Sequence, residues 1–158
     1  MTSARLALGA GTAVTVVALD QLTKSWALRA LEDGPVHVLW TLRFNLSFNT
    51  GAAFGIGQGL APLLMLVAIA VLVALVGFGR TAATTPATMG ALGLVVGGAV
   101  GNLVDRFVRD HGGAVVDFID LQWWPIFNVA DAAITVGALV FVVAAGTRRD
   151  SVGVERTS

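Results

Sequence analysis

Residues 125–147 read PIFNVADAAITVGALVFVVAAGT, a run in which Asp131 carries the one charge. An α-helix needs about 20 consecutive apolar residues to cross the hydrocarbon core of a bilayer, and this run is long enough. A carboxylate inside such a helix is costly unless it faces a protein interior and finds a partner there. Two expectations follow together: a membrane-spanning chain, and a polar site built within or beside its spans.

The same spacing recurs upstream. No Asp, Glu, Lys or Arg lies between Arg5 and Asp20, between Arg43 and Arg80, or between Arg80 and Asp105. Each gap holds about 20 mostly apolar residues, or nearly so once an end residue snorkels. Four transmembrane helices are predicted, over about 5–25, 60–79, 87–105 and 125–147. The first has a short uncharged core, Leu6 to Leu19, that would also fit the apolar region of a signal peptide after Arg5. The polar cluster that follows it does not resemble a cleavage site, so the segment is read as a retained helix.

Composition agrees. Of 158 residues, 56% are hydrophobic and 13% charged, and the charged share is about half that of an ordinary soluble domain. A typical soluble enzyme is excluded. The formal net charge is zero, which leaves no basic surface for nucleic acid, and the hydrophobicity rules out disorder. The absence of cysteine removes thiol catalysis, thiolate metal sites and disulfides, and means that the chain is not itself a lipid-modified lipoprotein. His37 and His111 stand alone, without the second histidine that a zinc-binding helix needs, and are read as surface-loop residues. No metal or cofactor is called for. Ser25 adjoins Lys24 and would point elsewhere on a helix, so a Ser/Lys catalytic pair is set aside.

Four spans put both termini on one side, and the basic residues then divide five and five. Arg80 in the short interhelical loop and Arg148-Arg149 after the last helix favour termini inside. With that orientation the inner side has five basic residues against two acidic, or +3, and the outer side five against eight, or −3. Residues 1–147 form one domain, and 148–158 a polar cytoplasmic tail. In the 26–59 connection, Val36 to Trp40 and Leu42 to Phe48 are rich in β-branched and aromatic residues between turn signals, which predicts a small antiparallel element on the membrane surface. The fold class is an all-α membrane protein of four transmembrane helices, with a small extracytoplasmic β element and a surface helix. Trp26, Trp40, Trp123 and Trp124 are expected at helix ends on the outer side, as an interfacial belt.

The acids of that outer side carry the chemistry. Asp131, six residues into the predicted last helix, shares a stripe with Asn128 and Thr135. Asn102, Asp105 and Arg106 form a second polar stripe, and Asp20 with Lys24 a third. Asp117 lies in VVDFID, residues 115–120, a short strand or extended piece leading into the last helix. Read structurally, Asp20–Lys24 is a helix-end ion pair. Asp105 with Arg106 is either a similar pair or a substrate contact. Asp120, Asp110, Asp33 and Glu32 are solvated loop acids. A buried Asp131 requires a partner, and Asp117 is the one proposed.

Five blocks, DQLTK at 20–24, FNTGAAFG at 48–55, GNLVDR at 101–106, VVDFID at 115–120 and FNVADAAIT at 127–135, resemble lipoprotein signal peptidase, the bacterial signal peptidase II family, in its order and over nearly the whole chain. The resemblance implies an intramembrane aspartic endopeptidase that removes signal peptides from prolipoproteins, cutting just before a cysteine that already bears diacylglycerol. By motif match Asp117 and Asp131 fall on the family's catalytic dyad. Asn49, Gly51, Asn102, Asp105, Arg106 and Asn128 fall on its active-site surroundings, as do Asp20 and Lys24. Ala132 departs from the Ser that many members carry after the catalytic Asp, which bears on a supporting hydrogen bond rather than on the mechanism. The expected partners are prolipoproteins with a lipidated cysteine and membrane lipids. The expected setting is a monomer in the bacterial cytoplasmic membrane, with both termini cytoplasmic and the site near the extracytoplasmic face.

Elementary chemistry leads to the same place. Peptide hydrolysis without a metal or a side-chain nucleophile needs a water activated by a base, and an acid for the leaving groups; two close carboxylates sharing one proton supply both. Asn128 and Asn102 are placed to orient the dyad or substrate backbone, and Arg106 to hold a backbone carbonyl or a lipid head group. Glycines at 51, 55, 57 and 59 would keep one wall of a cleft low, with the 26–59 element as a covering lid. Two rivals remain, a small transporter or binding protein using intramembrane carboxylates and an assembly subunit. The apolar second helix and the clustering of polarity at one depth argue against the former.

Overall fold

From Thr12 to Asp33 the chain contains neither glycine nor proline, so nothing stops the first helix at residue 25. The computed structural model describes residues 2–51, 77, 83 and 85–154, with side chains through residue 144. In it α1 runs Ser3–Ala30, past the expected end. The remaining elements are β1 Val36–Leu39, β2 Leu42–Asn49, α2 Pro86–Val108, β3 Val115–Asp120 and α3 Val129–Val154. The start of α2 is set by Pro86 and by a reciprocal Thr85/Thr88 capping box. By contrast α3 begins later than the expected residue 125, because Phe127 is still extended and bridged to Ile119.

Helices α1 and α2 are long and apolar enough to cross a membrane, and the part of α3 whose side chains are described, Val129–Ala144, is apolar as well. Apart from residue 77, the expected helix at 60–79 lies outside the described residues, as do Gly55, Gly57 and Gly59. Among the described residues no separate surface helix accompanies these elements. The outward faces are apolar: Val14, Leu19 and Leu22 of α1 and Leu139, Val142 and Val143 of α3 are exposed. Such faces suit lipid rather than water.

Helix α2 packs against both of the others through glycine. Gly93, Gly97 and Gly101, four residues apart, face α1 so closely that a methyl group on them would stand 2.5 Å from the Gly9 carbonyl oxygen, 2.7 Å from that of Ala13 and 2.6 Å from the Asp20 carboxylate. Gly98 faces the Ala130 carbonyl of α3 instead, and Gly137 of α3 faces the Ala91 carbonyl. Lipid tails give helices no hydrophobic reason to associate, so small residues that admit close backbone contact supply the packing.

The three strands form one antiparallel sheet in the order β1-β2-β3. The expected β element is thus larger than a hairpin, since VVDFID joins it as its third strand, with Ser47 opposite Asp117 and Asn49 opposite Val115. Behind the sheet Ala27, Leu31 and Phe118 form a small core with Phe44, Leu46, Ile119 and Val129. Trp26 packs edge-on to Phe44 (5.2 Å) and Phe118 (6.1 Å). The predicted helix-end belt needs correction here. Trp26 lies within α1, Trp40 sits at the β1–β2 turn with φ of 54°, and Trp123 and Trp124 occupy the loop before α3.

Candidate active site

Two backbone features bring the polar residues together. The Phe127 amide and carbonyl pair with Ile119, at 3.1 and 2.8 Å, which folds the start of α3 back onto β3. Asn128 then caps α3: its side-chain oxygen accepts from the Asp131 N–H at 2.9 Å, and its own N–H donates to the Asp131 carboxylate at 3.3 Å. Asp131 is therefore the third residue of α3, in its first turn, rather than six residues into a helix. The cap rigidly orients its carboxylate.

Asp117, almost wholly buried in the middle of β3, stands beside it. The Asn128 amide donates to Asp117 Oδ1 at 2.7 Å and to Asn102 Oδ1 at 3.1 Å. The Asn102 amide donates in turn to Asp131 Oδ1 at 2.9 Å. From β2, Asn49 donates to Asp117 Oδ2 at 3.1 Å, while its own oxygen accepts the Gly51 N–H at 2.8 Å. Gly51 has φ of 78°, which is why a glycine follows at that turn. Burial first, and the Asp131 charge second, push the Asp117 carboxyl up from 3.8 to about 6, against the opposing pull of Asn49, Asn128 and Lys24.

Below this pair lies a second layer. Lys24, fully buried, reaches Asp20 at 2.8 Å, Asp105 at 2.9 Å and Asn102 Oδ1 at 3.0 Å. Asp20–Lys24 is thus an interior triad with Asp105, not an exposed helix-end pair. Asp105 does not pair with Arg106 either; its second cation is Arg109, at 3.0 Å. Arg106 donates to the Asn102 carbonyl at 3.2 Å. Thr135 bonds back to the Asp131 carbonyl and shares with Asp131 the face that lines the open groove described below, in an exposed rather than a buried position.

Among the acids read as solvated, Glu32, Asp33 and Asp110 are exposed, but Asp120 is not. It is buried at the end of β3 and takes Arg43 at 2.7 Å, Asn45 at 3.2 Å and the Gln122 N–H at 2.7 Å. Burial raises its carboxyl, but these three donors outweigh burial and hold it below the ordinary value. Strand pairing caused the misreading, since Arg43 comes opposite Asp120 only through the β2–β3 register. Sequence reasoning also passed over Gln21 and Arg109. The signal was there for Arg109, which stands at i+4 from Asp105, the same spacing as Asp20 and Lys24. Ser25 bonds the Gln21 carbonyl and Arg109 rather than Lys24.

An open groove of about 460 Å³ leads to Asp131 and Ala132, with walls of Leu121, Trp123, Trp124, Phe127 and Val136. The site is thus a pair of aspartates from different elements, tied by two asparagine amides, at the end of an apolar groove.

The family described as "Signal peptidase (SPase) II" matches residues 12–146. The chain belongs to the signal peptidase II family. The lipoprotein signal peptidase of Rhodococcus jostii is 47% identical over 81% of this chain and 67% of its own length. That of Mycobacterium avium is 44% identical over 88% and 79%. A solved bacterial membrane enzyme superposes with a TM-score of 0.75, at 31% identity, over 90% of both chains. As a signal peptidase II the chain is a membrane-enzyme peptidase, and its function is the removal of signal peptides from lipoproteins.

Proposed function

We propose that Asp117 and Asp131 are the catalytic dyad of this signal peptidase II. They act on prolipoproteins held in the membrane at the outer interface and cut just before the lipidated cysteine. The observation that carries this reading is the Asp117–Asn128–Asn102–Asp131 hydrogen-bonded chain, which joins two carboxylates of separate elements into one site. Burial and the neighbouring Asp131 charge raise the Asp117 carboxyl to about 6, so Asp117 holds a proton below that pH and the pair offers both an acid and a base. The ionised member takes a proton from water as the water oxygen attacks the scissile carbonyl. The protonated member donates to the carbonyl oxygen, and the departing amine receives its proton as the tetrahedral intermediate collapses.

Asn49, Asn102 and Asn128 orient the two carboxylates, and Gly51 keeps the turn after Asn49 open. Arg106, half-buried beside Asn102, is the cation available to a substrate carbonyl or lipid head group. The apolar groove against α3 suits the hydrocarbon of the substrate, which is already in the bilayer and need not be extracted from it. The finer architecture of this reading is four spans, a domain over 1–147 with a cytoplasmic tail at 148–158, both termini cytoplasmic in the bacterial plasma membrane, and action as a monomer.

The test uses purified protein in detergent with a prolipoprotein offered with and without its diacylglyceryl group. Mass spectrometry is expected to find a free signal peptide and a product beginning at the modified cysteine, from the lipidated substrate alone. No cleavage of either, or equal cleavage of both, would contradict the substrate assignment.

A further inference from the structure

The fully buried Asp105 carboxylate accepts four hydrogen bonds. Its Oδ1 takes Gln21 Nε2 at 2.9 Å and Arg109 Nε at 3.0 Å, and its Oδ2 takes Lys24 Nζ at 2.9 Å and the Val116 N–H at 3.0 Å. Val116 immediately precedes Asp117. Asp20, the other carboxylate of the Lys24 triad, accepts the Ala130 N–H at 3.0 Å, and Ala130 immediately precedes Asp131. Each member of the proposed dyad thus follows a residue whose backbone N–H is pinned by a buried acid of one ion cluster.

That cluster is electrically balanced only with Arg109 in it. Lys24 already serves three acceptors, Asp20, Asp105 and Asn102, which uses all the donors an ammonium has. The second positive charge comes from Arg109, the residue that ends α2 before the turn through Gly112 and Gly113 into β3. Its Nη2 also donates to the Gln21 carbonyl at 3.2 Å, the Gln21 side-chain oxygen at 3.1 Å and Ser25 Oγ at 3.0 Å, all on α1. One guanidinium therefore ties the end of α2 and the lead into β3 to α1, and at the same time supports the acid that holds Val116.

We propose that Arg109, together with Gln21, is a positioning residue for Asp117. It fixes Asp105, and through the Asp105–Val116 bond it fixes the placement of Asp117 relative to Asp131. Removing Arg109 leaves Asp20 and Asp105 with Lys24 as their one cation, a buried excess of negative charge that relaxes toward water. Asp105 then turns toward the vacated side, the Val116 N–H loses its acceptor, and β3 shifts beneath Asp117. The reacting geometry suffers before substrate binding does, since none of these atoms lines the groove beside Asp131.

This inference rests on the dyad reading, and the test separates the two. Cleavage of a diacylglyceryl-modified prolipoprotein is measured at steady state for the full chain in detergent, as wild type, Arg109→Gln, Arg109→Lys, Gln21→Leu and Asp117→Asn. Arg109→Gln is expected to lower kcat about ten- to a hundredfold, with KM within about twofold of wild type. Arg109→Lys, which keeps the charge, recovers a substantial part of kcat. Where Arg109→Gln does not yield folded protein, Gln21→Leu is expected to give the same split in milder form. A wild-type kcat in Arg109→Gln and Gln21→Leu, a loss confined to KM, or no recovery by Arg109→Lys would overturn the positioning role while Asp117→Asn stays inactive. An active Asp117→Asn would instead overturn the dyad assignment itself.

Discussion

Asp117 is the residue on which environment acts most visibly. Its carboxyl keeps a proton to about pH 6 in the folded chain against an ordinary 3.8, so the native state binds more protons than the unfolded chain across that window. The stability that Asp117 contributes is complete below the lower value and lost as pH rises through the upper one. An asparagine at 117 does not titrate. The melting temperature of Asp117→Asn in detergent is therefore expected to rise relative to wild type between about pH 4 and pH 7, and a pH-independent difference would show that Asp117 titrates as an exposed acid. The need for a partner to Asp131 was legible in the sequence, because a charge in an apolar run demands one. What the local pattern withheld was the surroundings: Asp120 has the composition of a loop acid and becomes buried only because strand register delivers Arg43 to it.

At the level of elements, the charge-free gaps located α1, α2 and α3, and β-branched runs located β1 and β2. Their ends were less legible. The start of α3 depends on the Phe127–Ile119 bridge, a contact between residues on either side of a loop, and hydropathy is blind to it. The glycine spacing in α2 was present in the sequence, but its meaning depends on which neighbour each face meets. Gly97→Ala drives a methyl group to 2.7 Å from the Ala13 carbonyl oxygen, whereas the same change at Gly90 meets nothing within 4 Å. Gly97→Ala is expected to destabilise by about 1–3 kcal/mol, as overpacking does. Gly90→Ala should be neutral or stabilising by up to about 1 kcal/mol from helix propensity. Thermal unfolding of the two variants in one detergent checks the pair, and equal effects would refute the close α1–α2 contact.

For the whole molecule, a net charge of zero conceals an asymmetry of +3 against −3 in the proposed orientation. A C-terminal alkaline phosphatase fusion is expected to be inactive and a C-terminal green fluorescent protein fusion bright; the reverse pattern would place the tail outside. The helices and sheet serve one end in this arrangement. Glycine contacts hold α2 between α1 and α3, the Lys24 cluster grips the residues before both aspartates, and the sheet carries Asp117 and Asn49 over the head of α3. The claim at the centre is that Asp117 and Asp131 act as one catalytic unit. It is tested most directly by the turnover of a diacylglyceryl-modified prolipoprotein by wild type, Asp117→Asn and Asp131→Asn, each shown to be folded in detergent. Both variants are predicted to fall to background, with the double variant no worse than either single one. Near-normal cleavage by either folded variant would contradict the account.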